Sequence, residues 1–291
     1  MIALTLSVLS STLIYVVFKT FPKHRINTLN ALIFNYITAF VLGYSIQSTP
    51  VKITEIHEFQ WFLPATILGV LFIVIFYLMV MTTQRHGMSV VSVASKMSLS
   101  IPVIFVIFYY SEQVSVLKIL GIFIALFSVY LVSARTNDGL KVKASSLLLP
   151  FGVFLGSGVI ESSIKVLQND FVPQIETPIF SASIFLFAAL TGTLIFIFRF
   201  FRTKKLFNIK DVIGGLCLGV PNYFSIYFLI EALRNPNLDS SIVFVINNVA
   251  IVVLSTIIGI ILFKERLYRK NKIGIVLAIL SILFVALSGN F

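Results

Sequence analysis

Ten apolar stretches, each close to twenty residues long, decide what this chain can become. They run near 2–20, 29–48, 61–82, 88–110, 116–133, 145–167, 178–201, 211–233, 238–263 and 271–288. At 1.5 Å per residue, a helix of about 17 to 25 residues crosses a hydrocarbon layer about 30 Å thick. None of the ten has a period of two, and the turn-separated alternation of an outer-membrane barrel is missing. Each is therefore expected to be a helix that satisfies its own backbone hydrogen bonds. The expected fold class is all-α: a polytopic membrane protein with ten transmembrane helices. The composition agrees, with 58% hydrophobic and only 11% charged residues, the charges standing mostly between the apolar runs.

The formal charge of +11 does not point to nucleic acid, because the basic residues cluster at the ends of the apolar stretches. Examples are "FRFFRTKKLFNIK" (198–210) and "FKERLYRKNK" (263–272). Of the 22 Lys and Arg, 17 fall in loops 1–2, 3–4, 5–6, 7–8 and 9–10. The positive-inside rule places those loops in the cytoplasm and both termini outside. No positive n-region precedes Ile2, so the first segment is expected to remain a span. The single cysteine, Cys217, excludes an internal disulfide and a thiolate metal cluster.

The two halves repeat each other. "EQVSVLKILGIFIALFS" (112–128) matches "ERLYRKNKIGIVLAILS" (265–281) at an offset of 153, through Glu112/Glu265, Gly121/Gly274, Ala125/Ala278 and Ser128/Ser281. Upstream, segments one and six align through Ser11/Ser157 and Lys19/Lys165, with Tyr15 opposite Glu161. Segments two and seven align through Thr28/Thr177, Ala39/Ala188 and Gly43/Gly192, and three and eight through Gly69/Gly219 and Tyr77/Tyr227. Four blocks in one order predict a duplicated five-helix unit, residues 1–141 and 144–291. Five helices is an odd number, so the second copy enters the membrane from the other side. The halves are then inverted repeats about an axis in the membrane plane, the architecture of alternating access.

A Pro-containing fourth helix (Pro102), a Glu just after it (Glu112), nine residues to Gly121 and a small-residue-rich fifth helix, repeated in helices nine and ten, resemble the EamA-type family of the drug/metabolite transporter superfamily. The resemblance covers the whole chain. It implies a ten-helix carrier that exports amino acids, drugs or other small metabolites through a central cavity lined by helices one, three, four, six, eight and nine. It also implies termini in the cytoplasm, against the loop count. Ser111 and Lys264 stand before the two glutamates where many members carry Gly.

Lys96 interrupts the fourth segment about eight residues, or ~12 Å, from its start. A charge at mid-span costs about 2.5–3.5 kcal/mol on insertion scales, so something compensates it. Ser89, Ser92 and Ser100 lie at i−7, i−4 and i+4, which makes a polar stripe on one face. One explanation is a structural lysine that snorkels or pairs with a buried acid; the other is a cation that meets an anionic substrate group. In the second half Asn248 stands opposite Lys96 and Ser241 opposite Ser89. Asn247 and Asn248, in an apolar helix, need partners on a neighbouring helix or a ligand.

Glu161 lies deep in segment six at i, i+4 with Lys165. It is either an internal ion pair or a proton carrier and counter-ion of Lys96. Lys19 and Lys165, near helix ends, either snorkel or take part in coupling. Tyr15, Tyr77 and Tyr227 are candidate cavity liners, though membrane aromatics also serve as packing anchors. No metal-binding, nucleophile or phosphate motif is present, so neither an enzyme nor a cofactor is expected.

The expected function is secondary transport, in the export direction, of a small polar metabolite such as an amino acid or carboxylate, with Lys96 as anchor. The alternatives are a hydrophobic-drug exporter or lipid-carrier flippase, kept open by 29 phenylalanines, and a channel. Expected partners are a small-molecule substrate, membrane lipid and, as an option, a second copy in a homodimer. The expected place is the inner (plasma) membrane of a bacterium.

Overall fold

The computed structural model describes residues 2–46, 52–101, 104–105, 116–132, 144–204, 206–233 and 240–287. Within them lie ten α-helices: α1 (Ile2–His24), α2 (Thr28–Ser45), α3 (Phe62–His86), α4 (Met88–Met97), α5 (Val116–Val132), α6 (Ala144–Asp170), α7 (Thr177–Thr203), α8 (Ile209–Leu233), α9 (Ser240–Phe263) and α10 (Arg269–Leu287). Short 3-10 turns occupy Ile53–Glu58 and Gln174–Glu176. No strand occurs among the described residues. Among the described residues seven helices, α1, α2, α3, α6, α7, α8 and α9, are long and apolar enough to cross a membrane. Their large apolar side chains face outward in rows, such as Leu190, Leu194, Phe198 and Phe201 on α7, while Ser7, Asn35, Ser183 and Asn247 are buried. Apolar outside with polar inside is the arrangement that lipid selects.

The fourth segment, expected as one helix over 88–110, is interrupted inside that span, and residues 106–110 lie outside the described residues. Regular helix ends at Met97, Ser98 and Leu99 form a turn, and helical backbone returns at 100–101 and 104–105. The cause is local. Pro102 has no N–H to give the Ser98 carbonyl, and Ile101 N–H bonds it instead at 2.9 Å. Ser95 and Ser98 also bond back to the carbonyls of Ser92 and Ser95, the kind of competition that loosens a helix. Pro102 itself, Ser111, Glu112 and Arg234 lie outside the described residues, as do the side chains of Lys165 and Ser241.

The chain divides into two compact units, and each takes residues from both sequence halves. One comprises residues 20–77 and 160–223, with α2 packed on α7. Its core holds Trp61, Ala65, Leu68, Phe180, Ile184 and Phe187. The contacts here are reciprocal. A Cβ on Gly43 would meet Ala182 Cβ at 3.4 Å, and one on Gly192 would meet Ile33 Cγ1 at 2.7 Å; Gly192 and Ala182 stand 149 residues after Gly43 and Ile33. Likewise a Cβ on Gly69 would fall 2.5 Å from Phe187 Cβ, and one on Gly219 2.6 Å from Thr38 Cβ. The loops correspond too. Trp61 Nε1–H donates to Glu176 Oε2 at 2.7 Å, and 149 to 150 residues away Asp211 accepts from Asn27 N–H at 2.8 Å and Asn30 Nδ2–H at 2.7 Å.

The other unit comprises residues 1–19, 78–159 and 224–291. Its core joins Val90, Val93 and Met97 of α4 with Ala125, Val129 and Val132 of α5, Val252 of α9 and Ala278 and Ile282 of α10. Here α5 packs on α10, again reciprocally. Ser281 Oγ–H donates to Gly121 O at 2.8 Å, and a Cβ on Gly274 would sit 3.0 Å from Ser128 O. As numbers rise along α5 they fall along α10, so the two helices run antiparallel; α2 and α7 do the same.

Lys264, before Glu265, has φ of 52° at the end of α9. A left-handed backbone strains a side-chain-bearing residue, which accounts for glycine being common at this place in the resembling family. Lys264→Gly is expected to raise stability by roughly 0.5–1 kcal/mol after the entropy of the unfolded glycine is subtracted. Thermal unfolding in detergent checks this, and a lowered midpoint would count against it.

Candidate functional site

Helix α1 carries one polar face through the second unit described above. Ser7 and Tyr15 lie on it at i and i+8, and Lys19 follows Tyr15 by four residues, so all three project on one side. Ser7 Oγ–H is shared between Ser225 O on α8 at 3.0 Å and Asn247 Oδ1 on α9 at 3.1 Å. Tyr15 Oη and Ser95 Oγ of α4 are 2.7 Å apart. Lys19 Nζ lies 2.8 Å from Glu265 Oε1 and donates to Thr83 O of α3 at 3.2 Å. One helix face thus touches α3, α4, α8, α9 and the α9–α10 junction through polar groups, all but Lys19 essentially closed to solvent or lipid.

Lys96 is half-buried in the last turn of α4, next to the Tyr15-bonded Ser95. The three serines are buried, and two of them bond carbonyls of their own segment. Ser92 Oγ–H donates to Ser89 O at 3.1 Å, and Ser100 Oγ–H bonds the Met97 carbonyl. Ser89 Oγ is buried with no hydrogen-bond partner among the described residues. On α9, Asn247 and Asn248 are both buried, and Ser255 donates to Val252 O at 3.1 Å. Tyr227, on α8, is partly exposed and packs edge-on against Phe224 and Phe228.

The expected residues therefore fall in two groups. Lys96, Ser92, Ser100, Tyr15, Lys19, Asn247, Asn248 and Tyr227 belong to one compact unit. Glu161, half-buried on α6, belongs to the other, together with Lys165 and the partly exposed Tyr77. Among the described residues no group of three His, Cys, Asp or Glu is arranged for a metal ion.

Sequence reasoning missed Ser7, Ser95, Ser225 and the role of Glu265. The first three are small hydroxyls in helices rich in them, with nothing local to set them apart. Glu265 was visible as a repeat marker, an acid directly after an apolar helix. Its partner Lys19 lies 246 residues earlier, and no local pattern links the two.

Comparison with known proteins gives three findings. The EamA-like transporter family matches residues 149–287. A protein of Haemophilus influenzae described as uncharacterized is 28% identical over 287 residues, covering 96% of this chain and 95% of that one. A solved crystal structure shares the fold with a TM-score of 0.60 at 14% identity, over 98% of this chain and 99% of that chain.

Proposed function

We propose, from the match of residues 149–287 to the EamA-like transporter family, of the drug/metabolite transporter superfamily, that this multi-pass membrane protein is a secondary transporter that exports a small polar metabolite, an amino acid or a carboxylate, by alternating access. The observation that carries the reading is the buried polar line along α1, which joins Asn247 on α9 and Ser95 on α4 beside Lys96. Polar groups inside apolar helices are costly unless partnered, and a lysine there marks a substrate or ion path more often than a packing role. Lys96 supplies the cation for a substrate carboxylate, and Asn247 and Asn248 supply amides.

The halves 1–141 and 144–291 act as inverted repeats. The reciprocal contacts support this, because equivalent helices that meet antiparallel are related by a two-fold axis perpendicular to them. An axis along the helices would leave them parallel. If the helices span the bilayer, that axis lies in its plane. The Haemophilus relative supports a bacterial origin, and with the long apolar helices the reading is completed by a place in the inner membrane.

The aromatic set Phe224, Tyr227 and Phe228 on α8 favours a second reading, a hydrophobic-drug exporter or lipid-carrier flippase of the same fold. A thermal-shift screen of the purified protein separates the two. Amino acids or carboxylic acids are expected to stabilise it, by about 2.7 kcal/mol at a hundredfold excess over Kd, and Lys96→Met to abolish the shift. Stabilisation by hydrophobic cations or lipids instead, unaffected by Lys96→Met, favours the second reading.

A further inference from the structure

Glu265 ties four segments to one carboxylate. Its side chain is only 9% exposed and enters from the α9–α10 junction. Oε1 accepts from Lys19 of α1 at 2.8 Å and from Met88 N–H at 2.9 Å, and Oε2 is 3.1 Å from the same N–H. Met88 is the first residue of α4, so the charge also sits at the positive end of that helix. Lys19 passes the link on to Thr83 O in the last turn of α3. Two glycines make the room. Gly87 joins α3 to α4 at φ of 105°, where a side chain would be strained, and a Cβ on it would fall 2.7 Å from Glu265 Oε2. A Cβ on Gly259 would fall 2.6 Å from the same oxygen.

We propose that Lys19, Glu265 and the first turn of α4 form a latch that holds shut the basic-loop end of the polar line, and that it opens when the transporter exposes its site to that side. The inference rests on the transporter reading above. The ends of α1, α3 and α9 and the start of α4 all lie where loops 1–2, 3–4 and 9–10 emerge. Tyr15 is one turn along α1 from Lys19, about 6 Å, and Ser95 is seven residues into α4 from Met88, about 10 Å. The latch therefore lies between the site and that end. Its chemistry suits a contact made and broken in each cycle. A buried ion pair gains little net free energy over an apolar replacement, because the attraction is offset by lost hydration, and opening returns that hydration. Closed and open states then differ by the few kcal/mol that alternation requires.

The test reads accessibility, so it needs no substrate. In a Cys217→Ser background, Ser95→Cys reports on the site, and a membrane-impermeant thiol reagent is applied from the basic-loop side in vesicles of defined orientation. Slow labelling is expected in that parent, with a rise of about tenfold on Lys19→Met or Glu265→Gln, the change that a shift of about 1.4 kcal/mol in the closed state produces. Gly259→Ala keeps both charges, displaces only the tip of a flexible side chain, and is expected to raise labelling likewise. The exchange Lys19→Glu with Glu265→Lys is expected to stay fast, because an ammonium cannot accept the Met88 N–H. Unchanged labelling in Gly259→Ala and in the folded charge variants overturns the latch while leaving transport intact as a reading. A reporter thiol from Ser95→Cys that is unreactive from both sides in every variant overturns both.

Discussion

Lys96→Met is expected to insert and fold at least as well as the parent chain while transport of the acid found by the binding screen falls by about 10- to 100-fold. The substitution keeps length and removes a charge whose insertion costs about 2.5–3.5 kcal/mol at mid-span, a relief that favours insertion and folding. Transport loses a charge-assisted hydrogen bond to the substrate, worth about 1.5–3 kcal/mol, and hence that range of rate. Lys96→Arg is expected to recover activity only in part. A planar fork does not occupy the place of a compact ammonium. Uptake into reconstituted vesicles measures both variants against melting midpoints in detergent. Normal transport by Lys96→Met would make the lysine a structural group.

The second large effect is expected at Gly69 and Gly219. A methyl on Gly69 would lie 2.7 Å from Ala188 N, and one on Gly219 2.7 Å from Asn35 O. Backbone cannot move aside as a side-chain tip can, so α3 must part from α7 in the first case and α8 from α2 in the second. Each Ala variant is expected to cost about 1–3 kcal/mol, as overpacking of a close contact does. Gly152→Ala serves as the control, since its nearest neighbour is Leu78 Cδ1 at 3.4 Å, and it is expected to stay within about 0.5 kcal/mol of the parent. Matched costs at 69 and 219 would reflect matched environments in the two halves. Tolerance of Ala at both would contradict the close approach.

Most of the helical architecture could be read from the chain because hydropathy and length act locally. α5, expected at 116–133, ends at Val132, and α8, expected at 211–233, begins at Ile209. The interruption in the fourth segment was not legible because apolar content continues unbroken past Met97 while hydrogen bonding changes at Ser98, and hydropathy does not register a missing donor. The site divided in the same way. That Asn247 needed a polar partner was readable from its apolar surroundings; that the partner is Ser7, 240 residues earlier, was not. Lys19 shows the limit most clearly. Its place near a helix end fits a lysine that snorkels, whereas the structure pairs it with an acid from the far end of the chain.

The mutual dependence of the halves also bears on synthesis. Thr28, at the start of α2, is made 149 residues before Thr177, at the start of α7. At about 5–20 residues per second, α2 spends roughly 7–30 s in the membrane before the helix it packs against leaves the ribosome. During that interval its Ile33, Ala39 and Gly43 surface is covered by lipid or by whatever holds nascent spans, and neither compact unit can close. A nascent first half carries the same small-residue contour that α7 later provides. Two such halves from neighbouring ribosomes offer each other an approximate match, and the covalent link to the second half favours the correct partner by keeping it near at hand.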